Sequence, residues 1–339
     1  MLNKAYIDLK KLQSNAKEIK KRLKKSRKFC AVVKADAYGH GAEKIASSLY
    51  HYCDSFAVAL VEEGVSLRLA GVNKDILVLI PPFNQDIERA VFYNLTLTAS
   101  DAITIKGIER TCEKQNRKAK IHLKFNTGMN RLGVDTLKDL NALARLVFNS
   151  KYLILDGMFT HIGDFTNKKQ LIQIQNKFLL ANNLIKGYNN RAICHASASG
   201  GFLLGLESDM VRIGILLYGY KPFESDYINV SPIMKIYAPL VKNRKLKNGE
   251  NCLYGDFKLE EDTNLSLIRV GYADGFIRQN VFGQVNNRCM DITAVKTPKI
   301  TNKGVLIMDN ADDLARYYHT ISYEILTKSA MRAEKIYLN

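Results

Sequence analysis

Apolar residues recur along this chain in two rhythms. Up to about residue 219, short β-branched runs alternate with stretches of helical spacing; beyond it the alternation stops. After a strand-like AYIDL at 5–9, Leu12, Ala16, Ile19 and Leu23 return at helical intervals, which predicts a helix of about 15 residues. Eight apolar runs follow, at 29–34, 55–60, 76–80, 95–99, 120–125, 154–160, 192–197 and 209–213, each a predicted strand. Helical segments fall between them: one from Ala42, then 61–70 with Gly71 as C-cap, 84–94 after a Pro-Pro turn, 101–115 with Ser100 as N-cap, 135–149 and 167–187. Continuous apolar strands alternating with helices imply a parallel sheet covered by helices. Eight of them imply an α/β fold whose N-terminal part is a (β/α)8 TIM-type barrel.

After Gly219 the turn-rich YKPFESDYINVSP reads as a linker. Strand-like pieces at 233–246, 251–254, 265–273 and 289–296 follow, then a helical tail near 311–330. The expected division is a barrel over 8–224 and a mostly-β C-terminal domain over 225–339. No internal repeat or low-complexity segment appears.

Composition narrows the class. With 339 residues and 47 % hydrophobic positions, the chain can bury an ordinary globular core. MLNKAYIDLKK has no apolar leader, and no run reaches the roughly 18 residues of a membrane span, so a cytoplasmic protein with no membrane partner is expected. The cysteines at 30, 53, 112, 194, 252 and 289 show no paired spacing, and the histidines show none either; free thiols and no metal are expected. The net charge of +17 is densest in KEIKKRLKKSRK, at 17–28. Its lysines lie between helix-spaced apolar residues, so it reads as a solvated helix face, and no nucleic-acid partner is expected.

The candidate chemistry begins in AVVKADAYGHG, residues 31–41, where Lys34 ends the first apolar run. A lysine kept from full hydration can lose its proton and attack a carbonyl; the plainer alternative is a surface lysine ending a strand. Barrel enzymes place their chemistry at the C-terminal ends of the strands, with phosphate often held after strands 7 and 8. Ser199 and Gly200 follow the seventh run, and Gly214 and Ile215 follow the eighth. Backbone N–H groups at a helix start plus one hydroxyl make a phosphate cradle. Arg212 is either a site residue or a buried arginine paired to a carboxylate, and Tyr254 by spacing alone is an aromatic of a β core.

VVKADAYGHG resembles the cofactor-lysine motif of the alanine racemases, which use pyridoxal 5'-phosphate (PLP). The resemblance covers nearly the whole chain and implies a barrel plus a β domain joined by the N-terminal strand, 1–7. It implies that Lys34 carries PLP and that Tyr38 binds its phosphate. MVRIGILLYG, 210–219, resembles the family's MVRxGIxxYG, placing Gly214 and Ile215 at the phosphate and Arg212 at the pyridine nitrogen. His161 in FTHIGD matches the histidine that contacts this arginine. HASASG keeps Ser199 but has Ala198 where the family has asparagine. HLKFNTGMNRLGV, 122–134, is similar to HLKxDTGMxRLG with Asn126 in place of aspartate. It implies Arg131 as a contact to substrate carboxylate and cofactor, and Lys124 as the lysine often carbamylated. In the C-terminal half, NCLYGDF implies Tyr254 as catalytic tyrosine. GYADG implies Tyr272 at the entrance, and Cys289-Met290-Asp291 implies a carboxylate contact from the Met290 amide. RAEKIY resembles RVPRxY and implies that Tyr337 reaches the phosphate. Tyr254 and Met290 would come from the partner in a head-to-tail homodimer with shared sites. The implied reaction is two-base racemisation of alanine by Lys34 and Tyr254, as in D-alanine biosynthesis. A serine or broad-spectrum racemase stays open on the same scaffold. A non-catalytic PLP-binding protein, or a decarboxylase with a similar barrel, fits the C-terminal blocks less well.

Overall fold

The computed structural model describes residues 2–279, 284–296 and 298–339. Met1, 280–283 and Thr297, which fall within the expected domains, lie outside the described residues. Contacts divide the chain into two units. One holds Met1–Leu12, Asp36–Gly41 and Ser231–Asn339; the other holds Gln13–Ala35 and Ala42–Val230. The strand β1 (Lys4–Asp8) belongs to the first.

In the second unit the eight apolar runs become eight parallel strands: β2 (Lys28–Val32), β3 (Ser55–Val58), β4 (Ile76–Val78), β5 (Thr96–Ala99), β6 (Ala119–Lys124), β7 (Leu153–Phe159), β8 (Ile193–His195) and β9 (Met210–Ile213). Their order is β8-β7-β6-β5-β4-β3-β2-β9, so the last strand of this unit returns to its first. Cys30 lies opposite Arg212 in that pairing. Asp209 N–H donates to Cys194 O at 3.0 Å and Arg212 N–H to Ser197 O at 3.0 Å, and the barrel is nearly closed. β4, β5 and β9 are buried along their whole length, as strands covered on both faces must be. The helix Ala102–Gln115 is capped by Asp101, not by Ser100. Its carboxylate reaches the Thr104 N–H at 2.7 Å and accepts from the Thr104 hydroxyl as well.

The first unit is built on two sheets. It contains β10 (Met234–Ala238), β11 (Leu240–Leu246), β12 (Thr263–Ile268), β13 (Thr293–Lys296), β14 (Ile300–Thr301), β15 (Gly304–Met308) and β16 (Glu334–Leu338). The five-stranded sheet runs β14-β15-β10-β1-β16 and the three-stranded one β11-β12-β13. β1 pairs antiparallel with β10 and parallel with β16. Cys252, Leu259, Leu265, Val285 and Ala294 form a small apolar core. The run 233–246 is two strands, broken at Pro239, which has no N–H for a ladder. Residues 251–254 form a turn, not a strand, and the tail near 311–330 is two helices, Ala311–Tyr317 and Ser322–Ser329. Sequence pattern did not anticipate β14–β16.

Candidate active site

Lys34 stands just past the C-terminal end of β2, where Val33 N–H still bonds Ala57 O at 2.9 Å. Burial, then the charge of Arg131, lowers its proton affinity; Glu63 opposes this and Arg212 adds to it. Lys124, the last residue of β6, is buried with its Nζ over the Phe159 ring, 3.9 Å from the centroid. Burial and the neighbouring Arg212 and Arg131 push its pKa down to about 6. The same surroundings act on His161, where burial and the charges of Arg212, Lys124, Arg131 and Lys34 push the pKa down to about 3. Near neutral pH His161 is therefore an uncharged imidazole. Lys124, Arg131, Thr160 and His161 line one small cavity.

Arg212 is buried, and among the described residues no carboxylate is a hydrogen-bond partner of it. Its guanidinium donates to His195 Nδ1 at 2.5 Å, to His195 O at 3.0 Å, to Thr160 O at 2.8 Å and to Ala196 O at 3.3 Å. Burial lowers its pKa to about 10, which leaves it a cation near neutral pH. From His195 the bonds continue: Nε2 lies 2.9 Å from His122 Nδ1, and His122 Nε2 lies 3.0 Å from Asp156 Oδ2. A guanidinium only donates and a carboxylate only accepts, so the two ends fix every tautomer between them. His195 accepts at Nδ1 and donates at Nε2; His122 then accepts at Nδ1 and donates to Asp156. Burial first, then the charge of Arg212, holds His195 well below the usual histidine range. Phe159 stacks on His195 at 5.1 Å between ring centroids. Gly157 makes room for His122, since a Cβ there would sit 2.6 Å from the His122 ring.

Arg131 rides on a loop that leaves and rejoins the end of β6. Val134 N–H returns to Lys124 O at 3.0 Å, and Asn126 N–H donates to Val134 O at 2.9 Å. The Asn126 side chain organises this loop, accepting from Gly128 and Asn130 N–H at 3.0 Å and donating to Asp135 Oδ1 at 2.6 Å. An aspartate could not make that last bond, so the departure at 126 is put to use. Ser199 opens the short helix Ser199–Leu203, which has no side-chain cap because Ala198 supplies none. Gly214 N–H donates to Ser199 Oγ at 3.3 Å. The turn that follows makes its first internal bond from Leu217 N–H to Gly214 O, at 2.8 Å, so the amides of Ile215 and Leu216 have no acceptor within it.

The other unit holds the remaining candidates. The turn Lys34–Gly39, entered through Lys34, is left-handed, with φ of +50° at Ala35, +52° at Asp36, +53° at Ala37 and +55° at Tyr38. For L residues this hand costs about 1–2 kcal/mol each, so it persists only where the surroundings impose it. Within this unit Tyr38 is packed beside Tyr323, ring centroids 5.9 Å apart, and burial pushes the Tyr323 hydroxyl up to about 12. Tyr337 instead donates its hydroxyl to the His40 carbonyl at 3.1 Å. Tyr323 was missed in the sequence, as were His195, His122 and Asp156. His195 opens HASASG and Asp156 precedes FTHIGD by three positions, so both lay beside motifs already singled out.

Tyr254 sits at a turn tip between Leu253 and Gly255, both at positive φ, and is 73 % exposed. Asn286 anchors the tip, its amide donating to Cys252 O at 2.7 Å and Tyr254 O at 2.9 Å. Tyr272 and Met290 are joined through backbone: Tyr272 N–H donates to Cys289 O at 3.2 Å and Ala273 N–H to Met290 O at 3.1 Å. Arg332 ties the two segments together, 3.0 Å from Asp291 and 3.7 Å from Asp274.

Comparison with known proteins agrees along the whole chain. Residues 7–222 match the family described as alanine racemase, N-terminal domain, and residues 233–337 match alanine racemase, C-terminal domain. The chain is 32 % identical to an alanine racemase of Treponema denticola, over 99 % of this chain and 98 % of that one. It is 31 % identical to one from Staphylococcus epidermidis, over 91 % and 87 %. A solved alanine racemase of Clostridium difficile 630 superposes with a TM-score of 0.93 at 28 % identity, covering 100 % of this chain and 96 % of that one.

Proposed function

Because the chain belongs to the alanine racemase family, we propose that it interconverts L- and D-alanine with PLP carried on Lys34. The observation that supports this most is Lys34 itself. It stands at the C-terminal mouth of a barrel strand, with its proton affinity lowered by burial and by Arg131. An amine that gives up its proton more readily is better able to condense with an aldehyde.

The donor set fits an anionic cofactor. Arg131 and Arg212 repel one another's charge and push Lys124 toward its neutral form, and an anion among them relieves that repulsion. On this reading Ser199, Gly214 and Ile215 hold the phosphate, with Tyr38. Tyr323 is the better second tyrosine, because the Tyr337 hydroxyl is given to His40. Arg212 faces the ring nitrogen and does not give up its proton there. His161 lies beside Arg212 as a neutral neighbour. When bound, the cofactor spreads the negative charge left at the substrate Cα, only weakly with an arginine partner, which favours return of a proton over other fates.

The chain's own groups do the rest. Arg131 and the Met290 amide hold the substrate carboxylate, and Tyr272 narrows the entrance. Tyr254 removes the Cα proton of L-alanine, and Lys34 returns one on the opposite face; the D isomer runs the reverse way. Inversion needs both. Tyr254 and Met290 reach each site from the second copy of a head-to-tail homodimer. Lys124, with its pKa near 6, is a neutral nucleophile for carbon dioxide at neutral pH, and its carbamate would be an anion able to hold Arg131. Six free cysteines suit the reducing cytoplasm.

Chiral chromatography of L-alanine incubated with the protein and PLP tests the reading. D-alanine should accumulate toward an equal mixture. A PLP-loaded protein that leaves alanine untouched and inverts serine would move the substrate assignment. A protein that takes up no PLP would overturn the reading at Lys34.

A further inference from the structure

A left-handed turn of L residues does not hold itself, and this one is gripped at specific points. His40 Nδ1 lies 2.9 Å from Ala37 O and 3.0 Å from Tyr38 O. Carbonyls only accept, so the Nδ1–H bridges two carbonyls of the turn's own backbone. Gly41 N–H returns to Asp36 O at 2.9 Å. Two further contacts come from β16. Lys335 Nζ lies 2.8 Å from Asp36 Oδ2, at one end of the turn. The Tyr337 hydroxyl donates to His40 O at 3.1 Å, at the other. Lys335 and Tyr337 are two apart on a strand and so share a face. β16 is itself fixed by β1, with Tyr337 opposite Ile7. Gly41, at φ +90°, makes the seat for the hydroxyl; a Cβ there would lie 1.9 Å from Tyr337 Oη.

We propose that Tyr337, Lys335 and His40 are positioning residues that lock the turn in its left hand and so fix the place of Tyr38. The lock itself is independent of the functional reading. Its effect on the cofactor rests on Tyr38 being a phosphate ligand. Tyr337 then acts on the cofactor through the turn, without touching the phosphate.

Three variants of the full chain separate these roles. Tyr337→Phe removes one hydroxyl and keeps the ring. Lys335→Gln removes the charge at the other end. Ala35→Gly, at an exposed residue with φ +50°, lowers the cost of the left hand. Hydrogen exchange of the segment 36–41 is measured by mass spectrometry on protein stripped of cofactor, and PLP affinity by visible absorbance. Loss of one hydrogen bond should speed exchange in Tyr337→Phe by about two- to tenfold. Peptides from the barrel strands should not change. PLP should bind more weakly by about the same factor, with the same absorbance at saturation. Adding Ala35→Gly should restore both.

Unchanged exchange in both Tyr337→Phe and Lys335→Gln would overturn the proposal. So would weaker PLP binding with unchanged exchange and no rescue by Ala35→Gly, the result for a tyrosine that touches the phosphate directly. If the unaltered chain takes up no PLP, the functional reading fails, while exchange in the 36–41 segment still decides the lock.

Discussion

Asp156 closes a chain of donors that begins at a buried cation, and its charge is felt through two imidazoles. Burial works to raise its pKa, but the hydrogen bond from His122, helped by Lys120 and Lys28, outweighs it and holds the carboxylate below its usual range. Asp156→Ala would leave the His122 Nε2–H without its acceptor and remove the carboxylate that anchors the far end of the chain. It should cost about 1–3 kcal/mol in urea unfolding. Asp156→Asn keeps an acceptor oxygen, and about 1 kcal/mol or less should go with the charge. Equal losses in the two variants would mean that the chain does not orient Arg212. Lys124 couples stability to pH. Its folded pKa of about 6 lies below the ordinary 10.5, so between those values the unfolded chain binds a proton that the folded chain lacks. Stability should therefore rise with pH across that window, by up to about 1.4 kcal/mol per pH unit relative to Lys124→Met. A carbamate takes the amine out of that titration. Bicarbonate should flatten the slope, and ¹³C-labelled bicarbonate should give a carbamate signal that Lys124→Met lacks. An unflattened slope with no such signal would leave Lys124 as a plain buried amine.

The tip that presents Tyr254 is closed by Cys252 N–H to Phe257 O at 3.1 Å and held from a distant loop by Asn286, which binds two of its carbonyls. Asn286→Ala should leave PLP affinity intact and lower kcat several-fold, because the tyrosine loses its place while the barrel does not. A matching loss of PLP affinity would show the loop to matter to the fold as a whole. The same contrast explains what the sequence could disclose. β4, β5 and β9 are buried on both faces and the other barrel strands are mostly so, and burial writes itself into consecutive apolar residues. β14–β16 are short and partly exposed, and nothing local marks them. KADAY has the composition of an ordinary helix start; its left hand is imposed by residues of β16 some 300 positions away. For the same reason RAEKIY pointed to Tyr337 and passed over Tyr323, whose nearness to Tyr38 exists only after folding. The Arg212–His195–His122–Asp156 chain spans four strands and depends on register, helped by the irregular β6–β7 pairing at Ile121/His122, which no motif spells out.

For the whole molecule, the proposed chemistry draws on two copies of the chain. Tyr254 is 73 % exposed and Met290 55 %, with Tyr272 and Phe257 also turned outward from the same unit. Large apolar side chains left exposed are available for another surface to cover. If the cover is a second copy in a head-to-tail arrangement, each site takes Lys34 from one chain and Tyr254 from the other. Complementation then has a definite arithmetic. Lys34→Ala and Tyr254→Phe should each be nearly inactive alone. A mixed dimer of the two carries one site with both changes and one with neither. Equal amounts, dissociated and allowed to re-pair at random, form about half mixed dimers, so activity should recover to about a quarter of the unaltered enzyme. Were each site to use the tyrosine of its own chain, every site in the mixed dimer would carry one change, and nothing would recover. The recovered fraction, measured against the amount of mixed dimer separated by a charge tag, therefore decides whether the catalytic unit is one chain or two.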